Sequence, residues 1–227
     1  MPPAVLALVL SIGSPASAQE FLSRAPDPVA LVQELSSKDE AARQEAHAAL
    51  LEMGEKAVPA LLRGIYAEEV EGRRLAVRLL RTMADPRAGR PLQQRLPAEP
   101  NDGVRAEIVY ALGAIRPGGV MRLLVDHIRY EKEPRVLRAS LAVLGELGDP
   151  RAVAAVLDFA EAHAEDRYLL AVSTRALGDL TGRRRFGVDL PAWRKWWDEH
   201  GAEFVRRYEE ALRKEEESSS RPRTSSR

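Results

Sequence analysis

Three arginines, Arg74, Arg78 and Arg81, are spaced by four and three residues, and this spacing aligns side chains along one side of an α-helix. A guanidinium group is a planar fork of N–H donors and therefore suits the recognition of carboxylates. The pattern predicts a stripe that binds the acidic groups of a protein partner. Three further residues extend the stripe onto later helices of the repeat described below: Tyr110, Arg138 and Arg175.

An alternative interpretation gives these arginines no ligand. Acidic residues nearby in the sequence can neutralise them and leave an ordinary solvated surface, because exposed ion pairs contribute little by themselves. The acids concerned are Glu45, Glu69, Glu71 and Glu107. Both interpretations remain open at the level of sequence.

Motifs for catalysis are missing from the sequence. The chain has no cysteine, which excludes disulfides, thiolate metal sites and cysteine nucleophiles. It also has no Gly-x-Ser-x-Gly turn of the hydrolase type and no glycine-rich loop for phosphates. We therefore predict a protein that is not an enzyme, with no catalytic residue, no cofactor and no bound metal.

The composition disfavours several classes of partner. The 227 residues are 45% hydrophobic, which suffices for one buried core or one repeat array. The 34 basic residues balance 34 acidic residues, so no net positive charge attracts nucleic acid or an anionic membrane. Aromatic residues make up only 5%, too few for a row of base-stacking platforms. We predict no nucleic-acid ligand.

The elements that position the stripe follow from a repeat. An Asp-Pro pair, which favours the start of a helix, occurs at Asp27-Pro28, Asp85-Pro86 and Asp149-Pro150. Glu55-Lys56-Ala57 and Pro117-Gly118-Gly119 occupy the equivalent junctions between them. The starts are spaced by 28, 30, 32 and 32 residues, which indicates a structural repeat of about 31 residues.

Apolar residues recur in the same register before each junction. Positions one, four, five and eight residues before it are mostly apolar, which traces one face of an α-helix. The leucines at the fourth position are Leu50, Leu80, Leu112, Leu144 and Leu177.

Another repeated position carries Arg43, Arg73 and Arg105, which we interpret as structural. Because a single helix pair cannot bury its stripe, we predict a right-handed α-α superhelix of about five pairs over residues 28–181.

The repeat units resemble those of a known family. The segments Gly148-Asp149-Pro150-Arg151-Ala152-Val153, Ala111-Leu112-Gly113 and Leu144-Gly145-Glu146-Leu147-Gly148 are similar to the short HEAT-like repeats first associated with phycobilin lyases. The resemblance covers residues 28–181 and implies a solenoid of the HEAT/armadillo type. It implies little about function, because such repeats serve scaffolds, adaptors and a few enzymes. Tetratricopeptide repeats have a similar period, but their aromatic signature is missing here.

Some enzymes with HEAT-like repeats, such as deoxyhypusine hydroxylase, hold two irons with adjacent His-Glu pairs, and metal sites need convergent ligands of this kind. None of the four histidines of this chain precedes a glutamate. They are His47, His127, His163 and His200. The pattern therefore disfavours a di-iron site.

The two termini predict segments outside the array. Residues 4–12 are apolar and are followed by Ala16-Ser17-Ala18, which predicts a signal peptide at 1–18 and a linker at 19–27. No Lys or Arg precedes the apolar run, and a buried N-terminal helix is the alternative. We expect an exported protein, periplasmic or extracellular, without a transmembrane segment.

At the other end, Trp193, Trp196 and Trp197 share one helix face. We predict capping helices over residues 182–217 that cover the last repeat, and a disordered tail at 218–227. An aromatic cage for a sugar or quaternary amine is the alternative. This ending is similar to that of many HEAT-like proteins predicted to be exported by bacteria.

Taken together, these patterns predict a non-enzymatic, monomeric scaffold or adaptor of the cell envelope that binds a protein partner in its concave groove. The alternative is a HEAT-like lyase or accessory enzyme that holds a small ligand in the concavity. A third hypothesis, a solenoid similar to the alkylated-DNA glycosylases, is disfavoured by the zero net charge.

Overall fold

A computed structural model describes residues 27–220 of the chain. The predicted signal peptide, the linker up to residue 26 and the tail beyond residue 220 lie outside the described residues. Within residues 27–220 the chain forms eleven α-helices joined by turns and short 3₁₀ segments, with no β-strand.

Ten of these helices form five consecutive pairs. They are α1 (Pro28–Glu34) with α2 (Glu40–Met53), α3 (Val58–Gly64) with α4 (Val70–Met83), α5 (Gly89–Arg95) with α6 (Asp102–Ile115), α7 (Val120–His127) with α8 (Pro134–Leu147), and α9 (Val153–Ala162) with α10 (Arg167–Thr181). The last helix is α11 (Leu190–Ser220). In every pair the first helix is shorter than the second.

The Asp-Pro pairs begin helices as the sequence predicts. Asp27 accepts a hydrogen bond from the Val29 amide at 3.0 Å, and Asp85 accepts one from the Arg87 amide at 2.8 Å. After Asp85 the chain first forms the 3₁₀ turn Pro86–Ala88, which leads into α5. An N-cap of this kind contributes about 1 kcal/mol. The caps therefore fix where these pairs begin.

The repeated leucine of each second helix is fully buried. The five residues are Leu50, Leu80, Leu112, Leu144 and Leu177, each with 0% exposure. They belong to a continuous hydrophobic cluster that runs through all five pairs and into α11. Truncation of a buried leucine to alanine costs about 2–5 kcal/mol. The predicted apolar stripe is thus the core of the array.

Successive second helices pack directly against one another from α4 to α10, whereas the first helices beyond α3 make few contacts with each other. This closer spacing places the second helices on the inner, concave side of the curved array. Gly113 of α6 permits the close approach, since a Cβ atom there would lie 2.8 Å from Val143 of α8. The fold class predicted from the sequence, an α-α superhelix, is confirmed.

Two arginines with little solvent exposure link neighbouring pairs. Arg73 donates to two carbonyl groups in the turn of its own pair and makes two bonds, of 2.9 and 3.0 Å, to Glu99 of the next pair. Arg105 repeats the arrangement with Glu131, at 2.8 and 3.1 Å. We call Arg73–Glu99 and Arg105–Glu131 the stacking ion pairs. Arg43 bonds only to carbonyl groups of its own turn.

The tryptophan-rich end covers the last pair. Trp193 and Trp196 are only 1% and 5% exposed, and the indole N–H of Trp193 donates to the Gly187 carbonyl at 3.0 Å. Phe186 packs edge-on against Trp193, with ring centroids 5.0 Å apart. Trp193 and Trp196 are therefore packing residues of a lid, as the sequence predicts.

The sequence predicts several capping helices at this end, but α11 is a single helix of 31 residues. It includes Ser218–Ser220, which the sequence placed in the tail. Further along α11, Tyr208 lies beneath the Arg151 guanidinium, 5.9 Å from the ring centroid. The helix therefore packs against α9 and against the 3₁₀ turn Pro150–Ala152 that precedes it.

Candidate partner-binding face

The first three residues of the predicted stripe lie on α4. Arg74 is held within its own helix, because its guanidinium makes two bonds to Glu71, at 2.9 and 2.6 Å. The Arg74 hydrogen bond is the main cause that lowers the pKa of Glu71, and burial opposes the shift. Arg74 is thus already neutralised in the folded protein.

Arg78 and Arg81 reach across to the next second helix. They donate to the two oxygens of Glu107 on α6, at 2.9 and 3.2 Å respectively. The Arg81 guanidinium also lies 5.8 Å from the ring centroid of Tyr110. We call Arg78, Arg81, Glu107 and Tyr110 the bridged cluster. Two cations share one carboxylate there, so the cluster keeps one uncompensated positive charge.

The remaining residues of the stripe stand apart from this cluster. Arg138 lies exposed on α8 and forms no ion pair with any residue in the range 27–220. Arg175 on α10 is 83% exposed, and its Nε is 3.9 Å from Asp179. The predicted stripe is therefore divided into a bridged cluster near α4 and two separate arginines further along the array.

The acidic residues that were expected to neutralise the stripe fall into two groups. Glu71 and Glu107 pair with the stripe, whereas Glu45 and Glu69 form no ion pair with it in the described part of the chain. The neutralisation that the sequence left open is therefore partial. It removes the charge of Arg74 and leaves the charge of the bridged cluster in excess.

A depression of about 330 Å³ lies between α2 and α4, beside Arg78. His47 forms part of its wall, and the pKa of His47 is lowered first by burial and then by the charge of Arg78. A neutral imidazole next to a guanidinium offers hydrogen bonding without adding positive charge. Arg78 lines this depression and also belongs to the bridged cluster.

The geometry favours the binding of carboxylates. A guanidinium carries five N–H donors, and Arg78 and Arg81 each direct one hydrogen bond to Glu107. Their side chains are 37% and 38% exposed, so further donors face solvent. Glu107 holds both groups in place before any partner arrives, which reduces the conformational entropy lost on binding.

The histidines do not converge. His163 stacks on Phe159 with ring centroids 4.1 Å apart, and His200 stacks on Trp196 at 5.9 Å. His127 lies beside Glu131 in a different turn of the array, with Nε2 3.6 Å from the carboxylate. Over residues 27–220 no group of three or more potential ligands is arranged to hold a metal ion.

Sequence reasoning missed the acidic members of the stacking ion pairs. Glu99 and Glu131 each follow their arginine by 26 residues and lie six residues before Arg105 and Leu137. Counted in the same way, six residues before Arg73 and Leu170, two other turns carry Ala67 and Ala164. The sequence did carry a signal, since the acid occurs only after a pair that carries the repeated arginine.

Within the described range of the chain, no helix is long and apolar enough to cross a membrane.

The fold defines a helical-repeat protein of the α-solenoid class, built from stacked helix pairs. The family model for HEAT repeats matches residues 28–113 and 89–178, well over half of the chain. The protein belongs to the HEAT-repeat family, as the resemblance of its junction segments implies.

Two solved structures are similar to this chain. The complex of CpcE and CpcF of phycocyanin lyase from Nostoc sp. PCC7120 is similar, with a TM-score of 0.53 and 19% identity over 81% of this chain and 72% of that chain. An engineered protein has a TM-score of 0.44 and 18% identity over 74% of this chain and 85% of its own. The first likeness supports the solenoid fold. No curated protein sequence matches the chain.

Proposed function

We propose that the protein is a non-enzymatic interaction scaffold that holds a protein partner against its concave face. The observation that carries the proposal is the bridged cluster, in which Glu107 fixes Arg78 and Arg81 on neighbouring helices at 2.9 and 3.2 Å. An acidic segment of a partner would find there an excess positive charge and free N–H donors in fixed positions.

The bound carboxylate would lie on the outer side of the two guanidinium groups, opposite Glu107. Tyr110 packs against Arg81 and limits the directions that this side chain can take. The exposed Arg138 and Arg175 lie further along the second helices. An acidic segment long enough to follow the concave face would therefore meet additional cations.

A charge-reversal experiment tests this function. The double variant Arg78→Glu, Arg81→Glu is compared with the chain itself by affinity capture from an envelope extract of the source organism, followed by quantitative mass spectrometry. We expect specific proteins bound by the chain to be lost by the variant, because three carboxylates would replace two cations and one carboxylate.

The matched control is Arg206→Glu, Arg213→Glu, which makes the same charge change on the exposed surface of α11. The control should retain the captured proteins. Capture of the same proteins by both double variants, or capture of none by any of the three, would contradict a role for this face.

The place of action is part of the same proposal. The apolar run at 4–12 and Ala16-Ser17-Ala18 support export to the cell envelope. N-terminal sequencing of the protein isolated from its source tests this point. A mature chain that begins at Gln19 agrees with export, whereas a chain in the cytoplasm that retains residues 1–18 contradicts it.

A second candidate function is a lyase-like or accessory role toward a small molecule. The depression of about 330 Å³ beside His47 favours it, and one protein of similar fold is a phycocyanin lyase complex. Native mass spectrometry of the protein purified from its source separates the two functions. A bound small molecule, displaced by His47→Leu, would favour the second function over the scaffold.

A further inference from the structure

The turns between the first and second helices form one edge of the array, away from the concave face. Three of these five turns lie at residues 65–69, 96–101 and 128–133. Two adjacent layers of this edge can be compared directly, because the same positions recur 32 residues apart. One layer lies between the second and third pairs, and the other lies between the third and fourth.

The layer between the second and third pairs is filled by its own arginine. The Arg95 guanidinium lies 5.4 Å from the ring centroid of Tyr66 and donates to Glu99 at 2.6 Å. The Arg95 side chain is only 15% exposed. We call this the closed layer, because an arginine occupies the space between an aromatic ring and a carboxylate.

The next layer repeats the carboxylate and lacks the other two groups. Glu131 corresponds to Glu99, but Ala98 stands in place of Tyr66 and His127 in place of Arg95. His127 is short and does not fill the space. Burial is the main cause that lowers its pKa, so the imidazole is neutral near pH 7 and does not supply the missing charge.

The result is a pocket of about 430 Å³ in this layer, which we call the open layer. Its apolar surface comes from Leu96, Pro97 and Leu123. Its rim carries the Asp126 carboxylate, 54% exposed, and the ring of Tyr130, a residue that is 82% exposed. Tyr130 is the most exposed large hydrophobic residue in the described chain.

We propose that the open layer binds an arginine side chain from a basic segment of a partner protein, in the manner in which Arg95 occupies the closed layer. The aliphatic stem would lie on the apolar surface of the pocket. The guanidinium would stack on Tyr130 and bond to Asp126. This site is on a different surface from the bridged cluster and takes a ligand of opposite charge, so it is independent of the proposed function.

The electrostatics of the pocket agree with a cationic occupant. Arg105, whose side chain is 15% exposed, lines the pocket, and Glu131 balances its charge through bonds of 2.8 and 3.1 Å. Among residues 27–220, Asp126 forms an ion pair only with Arg129, at 3.5 Å on the exposed surface. An incoming guanidinium therefore meets one weakly paired carboxylate and no uncompensated cation.

The stacking partner selects arginine over other side chains. A planar guanidinium stacks on an aromatic face more readily than an ammonium group does, and the closed layer shows such a contact between Arg95 and Tyr66. An apolar side chain would leave Asp126 without its additional partner. We expect arginine to bind more tightly than lysine, and lysine more tightly than a neutral isostere.

The test is a ¹H–¹⁵N NMR titration of the full chain with N-acetyl-arginine amide. N-acetyl-citrulline amide, which is neutral and has nearly the same shape, serves as the matched ligand. Arginine amide should shift the amides of residues 96–99 and 123–131, with an affinity that falls as salt is added. Citrulline amide should bind about tenfold more weakly, since it lacks the charge.

Variants connect the shifts to the pocket. His127→Arg supplies the residue that fills the closed layer and should abolish binding. Tyr130→Ala, at an exposed position that does not endanger folding, should weaken binding about two- to fivefold. Tyr66→Ala, in the closed layer, should leave it unchanged.

Three results would overturn the proposal. The first is the absence of shifts at millimolar arginine amide, and the second is equal binding of the citrulline ligand. The third is a set of shifts centred on the concave face around Arg78 that persists in both Tyr130→Ala and His127→Arg.

Discussion

Between the second and fourth helix pairs, successive layers are joined by the stacking ion pairs Arg73–Glu99 and Arg105–Glu131. Between the fourth and fifth pairs the same positions carry Leu137 and Ala164, and Leu137 is 2% exposed in the apolar core. One fold therefore joins equivalent layers either by charge or by hydrophobic contact.

The comparison shows what a buried charge requires. The Glu99 side chain is fully buried, yet it accepts bonds from Arg73, Arg95 and the Asn101 amide. Removal of one member of such a set is costly, because the remaining charge stays buried without its partner. In the apolar layers, by contrast, the cost of a truncation follows the lost contact area and the cavity.

The largest expected effect comes from breaking one stacking ion pair. Arg73→Ala should lower the free energy of unfolding by about 3 kcal/mol, since it leaves Glu99 with Arg95 as its only cation. Arg43 has the same position in its helix but bonds only to the carbonyls of Ser37 and Lys38. Arg43→Ala should therefore cost only about 1 kcal/mol.

Both variants are measured by urea unfolding of the full chain at pH 7. Equal losses for Arg73→Ala and Arg43→Ala would show that the bonds to the turn carbonyls carry the stabilisation, and that the buried carboxylate adds nothing. The difference between the two losses in the free energy of unfolding therefore measures what the buried carboxylate adds.

An intermediate effect is expected from pH. Burial opposes ionisation of Glu99, but hydrogen bonds from Arg73, the Asn101 amide and Arg95 outweigh it and hold its pKa below the usual value. The pKa of Glu131 is lowered in the same way, because hydrogen bonds from Arg105 and two backbone amides outweigh the effect of burial. A carboxyl group whose pKa is lower in the folded chain than in the unfolded chain stabilises the fold at pH values above its unfolded pKa of about 4.3. This stabilisation is lost as the pH falls through the folded pKa.

We therefore expect the free energy of unfolding to decline below about pH 4.3, as measured by urea unfolding between pH 7 and pH 3. The double variant Glu99→Gln, Glu131→Gln should be less stable at pH 7 and should show a flatter decline. An equally steep decline in the variant would assign the acid sensitivity to other carboxyl groups, such as Asp85, whose pKa is lowered chiefly by Arg87.

Much of the fold could be predicted because it depends on local patterns. The buried leucines, such as Leu112 and Leu144, repeat at a fixed distance from each junction, and the Asp-Pro caps act within two residues. Both signals are visible in a linear sequence. The close packing of α6 on α8 is less visible, because it depends on the missing side chain of Gly113, where a Cβ atom would lie 2.8 Å from Val143.

The candidate site could be predicted only in part. Helical spacing placed Arg74, Arg78 and Arg81 on one face, but it could not show that Glu71 neutralises the first while Glu107 bridges the other two. Those pairings depend on side-chain rotamers and on the offset between neighbouring helices. The open layer was missed for a related reason, since it arises where a repeated position carries a smaller side chain.

The smallest expected effect concerns the ends of the second helices. In the half of the array with stacking ion pairs, Ala84 is the C-cap of α4 and has a φ of 48°, whereas Gly148 and Gly182 are the C-caps of α8 and α10. A left-handed conformation is costly for alanine and easy for glycine. Ala84→Gly should therefore raise the free energy of unfolding by about 0.5–1 kcal/mol, measured by urea unfolding at pH 7.

The matched reversal is Gly148→Ala, at a φ of 68° with nothing within 4 Å of the added Cβ. It should lower stability by a similar amount, because only the backbone conformation changes. A loss of stability in Ala84→Gly would mean that the Ala84 methyl group makes a contact worth more than the strain. In that case Ala84 would stabilise the end of α4 through a contact that a glycine cap lacks. The two halves of the array would then differ in how their second helices are capped as well as in how their layers are joined.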